Sequence, residues 1–151
     1  WSKHTTFEIA TRVPLLFSGP GVPENTSTEA LVELLDLFPT LAALAGLQTP
    51  PHLGGRSFAH VLAEPLAKAR EAAFSEYSRG GARGTSIRTE THRYTEWRAL
   101  KSNELVAREL YDFREVAVET ENLASDPVQK ELLDSLSQLL SARRDSPHFA
   151  P

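Results

Sequence analysis

The chain has 151 residues, 40% hydrophobic and 24% charged, a composition that allows one domain's worth of buried core. Its formal net charge of -4 is spread over interspersed signs, with no basic stripe or polybasic run, which argues against nucleic acid and anionic membrane surfaces as partners. Zero Cys excludes disulfides, thiol catalysis and Cys-ligated zinc within this span, and no stretch approaches the roughly 18 apolar residues of a membrane-crossing helix.

The opening stretch, Trp1 to Pro20, crowds Ser2, Lys3, His4, Thr5 and Thr6 into one polar turn, followed by Arg12 and the apolar run Val13–Phe17. That run, closed by Ser18-Gly19-Pro20-Gly21, reads as a buried strand entered from a polar loop, and loops at sheet ends are where α/β folds keep their chemistry. Gly19–Thr28 is rich in breakers and reads as a surface loop. Over Ala30–Gly46 a single helix would place Pro39 in its interior, at a cost of about 3 kcal/mol. The preferred reading is a short strand over Leu31–Leu35 and a short buried helix over Leu37–Ala45, with Asp36 as N-cap and Gly46 as stop. Gln48–Gly55 reads as irregular and exposed, and Ser57 as the cap of a second short helix, Phe58–Ala63.

From Ala72 the apolar period changes to two. Phe74, Glu76 and Ser78 alternate with Ala73, Ser75 and Tyr77, and Thr85–Glu90 and Arg93–Arg98 read as half-buried antiparallel strands joined at Thr91-His92. Arg79–Gly84 reads as a flexible Arg- and Gly-rich connection, and Glu109–Phe113 as a fourth strand. Tyr94, Trp97, Tyr111 and Phe113 are expected in the core of this sheet, with stacking on a sugar as a secondary reading. Asp126-Pro127 opens a helix whose Leu132, Leu133, Leu136, Leu139 and Leu140 form an apolar stripe suited to the sheet face, with Arg143 and Arg144 at its negative end. The histidines His52, His60, His92 and His148 show no metal-ligand spacing, so no metal site is assigned.

Several segments carry a family likeness. Lys3-His4-Thr5-Thr6-Phe7-Glu8, with Ala10-Thr11-Arg12-Val13-Pro14, resembles the sulfatase motif that follows the second set of metal ligands, most nearly in the iduronate-2-sulfatase branch. Asp36-Leu37-Phe38-Pro39-Thr40-Leu41, Gly55-Arg56-Ser57-Phe58, Ser86-Ile87-Arg88-Thr89, Arg93–Trp97, Glu109-Leu110-Tyr111-Asp112 and Asn122-Leu123-Ala124 follow in the family's order. Val116-Ala117 departs from it, where relatives carry Asp-Pro.

The resemblance implies an α/β fold, here the edge of an alkaline-phosphatase-like α/β sandwich over residues 1–68. A small α+β subdomain, a four-stranded antiparallel sheet packed on a C-terminal helix, follows over residues 69–151. It implies a sulfuric ester hydrolase acting on a sulfated sugar or glycosaminoglycan, with secreted, periplasmic or lysosomal localisation. The family's nucleophile is a formylglycine made in a Cys/Ser-x-Pro-x-Arg motif, and its metal is a calcium held by an Asp/Asn/His cluster. Neither occurs in this sequence, which has no Met and begins at Trp1. The chain is therefore expected to be a piece of a longer enzyme, inactive alone, with the N-terminal sulfatase portion as its partner.

By the same resemblance Lys3 contacts the sulfate and Glu8 and Arg12 support it; His4, next in sequence, is a candidate donor or acid by the chemistry of its imidazole. Arg79, Arg83 and Arg88 are candidates for meeting a polyanionic sugar. The chemistry suits these types: negative charge grows on the bridging oxygen as an S–O bond breaks, and a lysine ammonium aimed there stabilises that transition state. The competing classes are a sulfated-glycan-binding or scaffold module without catalysis, and a phosphatase or phosphonate hydrolase of the same superfamily.

Overall fold

The computed structural model describes residues 4–115 and 118–144. Its helices are α1 (Glu8–Thr11), α2 (Leu37–Leu44), α3 (Ala59–Ala63) and α4 (Lys130–Arg144), and its strands β1 (Ala72–Arg79), β2 (Ala82–Thr89), β3 (His92–Ala99) and β4 (Leu105–Asp112). Short 3-10 turns lie at Leu34–Asp36, Leu123–Ser125 and Pro127–Gln129. Two compact units result: residues 4–14 join 74–144 in one, and 15–73 form the other. The opening segment thus groups with the sheet, and the division at Ala73 lies a few residues beyond the one expected at 68.

In the first unit the strands follow one another in the order β1-β2-β3-β4, each neighbour hydrogen-bonded to the next. Gly80 and Gly81, at φ 58° and 81°, make the two-residue turn between β1 and β2. Both central residues of such a turn need positive φ, which glycine adopts without a Cβ clash. The Arg79–Gly84 stretch is therefore a tight hairpin and not the flexible connection its composition suggested. The next hairpin turns at Glu90-Thr91, one residue before the expected Thr91-His92, and β4 begins at Leu105, four residues before the expected start.

Alternation along the strands assigns the two faces of the sheet. Ile87, Tyr94 and Leu110 sit side by side in the ladder and are 0% exposed, as is Leu140 of α4, with Leu133 and Leu136 also buried. The leucine stripe of α4 therefore covers this face, with Leu139 half exposed at its margin. Within the same layer Glu96 accepts hydrogen bonds from Tyr94 Oη (2.9 Å), Ser137 Oγ (2.6 Å), Arg98 Nε (2.9 Å) and Arg144 Nη1 (3.1 Å). On the β4 edge, Asn122 accepts from Leu110 N–H at 2.9 Å and donates to Arg108 C=O at 3.1 Å, pairing the strand edge as another strand would.

The second unit is built around Asp36. Its carboxylate accepts from the backbone N–H of Glu33 (2.9 Å) and Arg56 (2.8 Å) and from Arg70 Nε (2.6 Å), with a second, very short contact to Arg70 Nη2. Arg70 Nη1 also lies 3.4 Å from Glu33 Oε2. Burial pushes the Asp36 carboxyl up, but Arg70 and the two backbone donors outweigh it and hold it below the usual range. Asp36 precedes α2 as expected, yet its side chain makes no cap hydrogen bond to that helix. Thr40 Oγ1 links α2 to α3 by donating to Asp36 C=O (2.6 Å) and accepting from Phe58 N–H (3.0 Å).

Two expected strands are not formed. Val13–Phe17 is irregular, with Val13, Leu15 and Leu16 exposed, because no strand among the described residues pairs its backbone and Pro14 has no N–H to offer. Leu31–Leu35 is also not a strand: the Asp36 carboxylate draws the Glu33 N–H inward and winds Leu34–Asp36 into a 3-10 turn. Nor is α2 fully buried, since Phe38, Leu41 and Leu44 point outward at 58%, 57% and 45% exposure.

Candidate functional site

The face of the sheet opposite α4 is covered by residues 4–12. A one-turn helix such as α1 has little stability of its own, so side chains from the sheet must hold it. Thr6 is buried against Thr95, their hydroxyls 3.4 Å apart, and Phe7 meets the Tyr111 ring edge-on at 5.5 Å. Glu8 is the anchor. Its carboxylate faces Arg93 Nη2 at 2.5 Å and Arg88 Nε at 3.0 Å, while its backbone N–H donates to Glu119 Oε2 at 2.7 Å. Glu119 thereby caps a helix whose N-cap residue, Phe7, offers no side-chain acceptor.

Burial pushes the Glu8 carboxyl up, but Arg88 and Arg93 outweigh it and hold it below its ordinary range. Glu119 goes the other way: burial raises it, and its bonds to the Glu8 N–H and Arg93 offset this only in part. Arg12, expected to share the support of Lys3, lies 4.0 Å from Glu8 with a side chain 63% exposed, a contact that contributes little.

Beside this anchor lies a cleft of about 600 Å³ lined by His4, Thr5, Phe7, Ile9, Arg79, Trp97 and Glu109. His4 Nδ1 stands 2.6 Å from Tyr77 Oη. Tyr77 and Arg79 are two residues apart on β1, which brings Arg79 to the same face. Trp97 lies over Gly84, where a Cβ would come within 2.8 Å of the indole ring, so only glycine lets the ring lie this close to β2. Burial raises the Glu109 carboxyl; a hydrogen bond from Trp97 opposes this and the charge of Glu119 adds to it.

The expected site residues are therefore only partly brought together. Lys3 lies outside the described residues, as does Val116-Ala117. His4 lines the cleft. Arg88 reaches this face, but its guanidinium is engaged by Glu8, by the Thr89 carbonyl and by the Phe113 ring at 4.0 Å. Arg83, an odd number of positions away on the same strand, stands on the α4 face and pairs with Glu76 at 3.5 Å. Trp97 was expected as core, whereas it walls the cleft. Glu109, Arg93 and Glu119 were missed: the alternation of β3 and β4 could have placed the first two on this face, whereas no local signal marks Glu119.

Among the described residues no group of three or more His, Asp or Glu could hold a metal ion. The described residues thus offer no donor set for the calcium that the resemblance implies.

Residues 1–146 match the family described as "N-sulphoglucosamine sulphohydrolase, C-terminal". The chain is 33% identical over 148 residues to Delta 4,5-hexuronate-2-O-sulfatase of Bacteroides thetaiotaomicron, covering 92% of this chain and 30% of that one. It is 29% identical over 204 residues to iduronate 2-sulfatase of Mus musculus, covering 90% and 37%. The chain thus spans well under half the length of these relatives. A phosphonate monoester hydrolase from Silicibacter pomeroyi has the same fold, with a TM-score of 0.70 over 87% of this chain and 29% of that one, at 23% identity. The order of motifs, the antiparallel sheet with its C-terminal helix and the family match agree: the chain belongs to the sulfatases, to the family formed by their C-terminal region.

Proposed function

We propose that this chain supplies one wall of the active site of a sulfatase that hydrolyses sulfate esters of a sulfated sugar or glycosaminoglycan. Lys3 contacts the sulfate and stabilises the charge that develops as the S–O bond breaks. His4 stands beside it as a hydrogen-bond donor or acid. Glu8 and Arg12 support the segment. Of the three candidate arginines Arg79, Arg83 and Arg88, Arg79 lines the cleft and offers a cation to the sugar's anionic groups. The formylglycine nucleophile and the calcium ligands belong to the rest of the enzyme, which is this chain's partner.

The observation that carries the reading is the position of His4: one residue after the motif lysine, it lines a cleft that also holds Arg79. The names of the two relatives, a hexuronate and an iduronate sulfatase, support a sulfated sugar as substrate. In this reading the unit of residues 15–73 belongs to the edge of the large α/β domain, and residues 74–144, with which the opening segment groups, belong to the smaller subdomain. The exposed Leu34, Phe38, Leu41 and Leu44 are what such an edge would bury against the missing lobe. The localisation is secreted, periplasmic or lysosomal.

The test is turnover of a sulfated disaccharide and of the matching phosphate ester by this chain alone and by the chain joined to its N-terminal portion. Sulfatase activity is expected only in the joined protein, and Lys3→Ala is expected to reduce it strongly while leaving a measurable residue. Sugar binding without turnover in the joined protein would identify a non-catalytic module, and preference for the phosphate ester a phosphatase.

A further inference from the structure

Whatever fixes Glu8 also fixes how residues 4–7 approach the cleft. Two buried side chains outside the opening segment do this together. Arg93, its side chain 2% exposed, reaches Glu8 Oε2 (2.5 Å), Thr11 Oγ1 (3.0 Å), Ser86 Oγ (3.3 Å) and, through Nε, Glu119 Oε1 (2.7 Å). Glu119, its side chain 5% exposed, holds Arg93 with one oxygen and the Glu8 N–H with the other.

Burying such a pair costs several kcal/mol in desolvation, and apolar side chains would attach a one-turn helix with no such cost. What the charges add is direction. The planar fork of Arg93 grips the first and last residues of α1, Glu8 and Thr11, while its backbone is fixed in the second-to-last strand of the sheet.

We propose that Arg93 and Glu119 are positioning residues for the sulfate-contacting end of the chain. They set the angle at which residues 4–7, which follow Lys3 in the chain, enter the cleft, and they act through Glu8 without touching substrate. This inference rests on the sulfatase reading above.

The experiment uses the joined enzyme and a sulfated disaccharide. Glu119→Gln keeps an acceptor for the Glu8 N–H but removes the charge facing Arg93. A displacement of about 1 Å at the reacting group lowers rate about 10²-fold, so kcat is expected to fall by up to that factor with KM changed less than about threefold. In the Lys3→Ala background the same change is expected to add less than about twofold, because the group being aimed is gone. Thr11→Val removes one Arg93 contact without baring a buried charge. It is expected to show the same non-additivity with a smaller loss, and it decides the matter if Glu119→Gln does not fold.

Equal losses in both backgrounds would mean a general structural role and overturn the proposal. If Lys3→Ala leaves turnover unchanged, the reading beneath it fails first. Loss at Lys3 with additive effects at Glu119 sinks only the positioning role.

Discussion

Replacing Glu96 by Gln tests how α4 is fastened to the sheet. Glu96 is 0% exposed and is surrounded by four donors, of which Ser137 and Arg144 come from α4 and Tyr94 and Arg98 from β3. Burial pushes its carboxyl up, yet the bonds from Ser137, Tyr94 and Arg98 win and bring it down from 4.5 to about 2. A carboxyl depressed on folding stabilises the native state fully above its unfolded value, near 4.5, and that stabilisation is lost as pH falls toward about 2. At 1.36 kcal/mol per unit the shift corresponds to about 3 kcal/mol.

Glu96→Gln keeps the shape and part of the hydrogen bonding but not the charge. It is expected to lower urea-unfolding free energy at pH 7 by about 2–3 kcal/mol, the gap closing as pH is lowered from 5 to about 2. A gap independent of pH would show that Glu96 acts through packing alone.

Three further outcomes follow from the geometry. Arg70→Met leaves the Asp36 carboxylate buried with only its backbone donors, and about 3–5 kcal/mol of stability should be lost from residues 15–73, read as protease cleavage there at lower urea than in wild type. Gly81→Val forces a β-branched residue to φ 81° in the β1–β2 turn, and should lower stability by about 1–2 kcal/mol in chemical denaturation, whereas Gly19→Ala, with nothing within 4 Å and no positive φ, should be near neutral. His92 titrates below 6.5: burial lowers it, Asp112 raises it, and Arg114 and Arg88 lower it again. Its contribution is therefore present above 6.5 and lost as pH falls below that, and an NMR titration should find it protonating later than a free imidazole, later still in Asp112→Asn.

The sheet and α4 were legible because period-two alternation and a leucine stripe are local patterns whose physical cause, one apolar face, is also local. The opening apolar run was misread for the complementary reason. A short apolar segment becomes a strand only if another strand satisfies its backbone, and nothing within Val13–Phe17 records whether one is near. The Gly80-Gly81 hairpin is written in the sequence as a Gly-Gly pair between two period-two runs, a turn signal that the flanking arginines leave unchanged. Asp36 was read as an N-cap because capping is the local use of such a residue. Its actual partner, Arg70, lies 34 positions away.

The candidate site divides along the same line. A motif can name Lys3, His4 and Glu8, but not the side chain that closes on Glu8 from 85 positions downstream or the one that caps it from 111 positions downstream. Those distant contacts decide the geometry, because α1 is too short to hold a shape by itself and its surroundings offer it charged partners more than apolar contact. A substitution at Arg93 or Glu119 should therefore leave the sheet's other face, with its apolar packing against α4, largely intact while loosening the segment that bears the motif. Loss of function without loss of fold is the expected phenotype there, and the opposite is expected at Glu96, where the charge joins helix to sheet on the far side from the cleft.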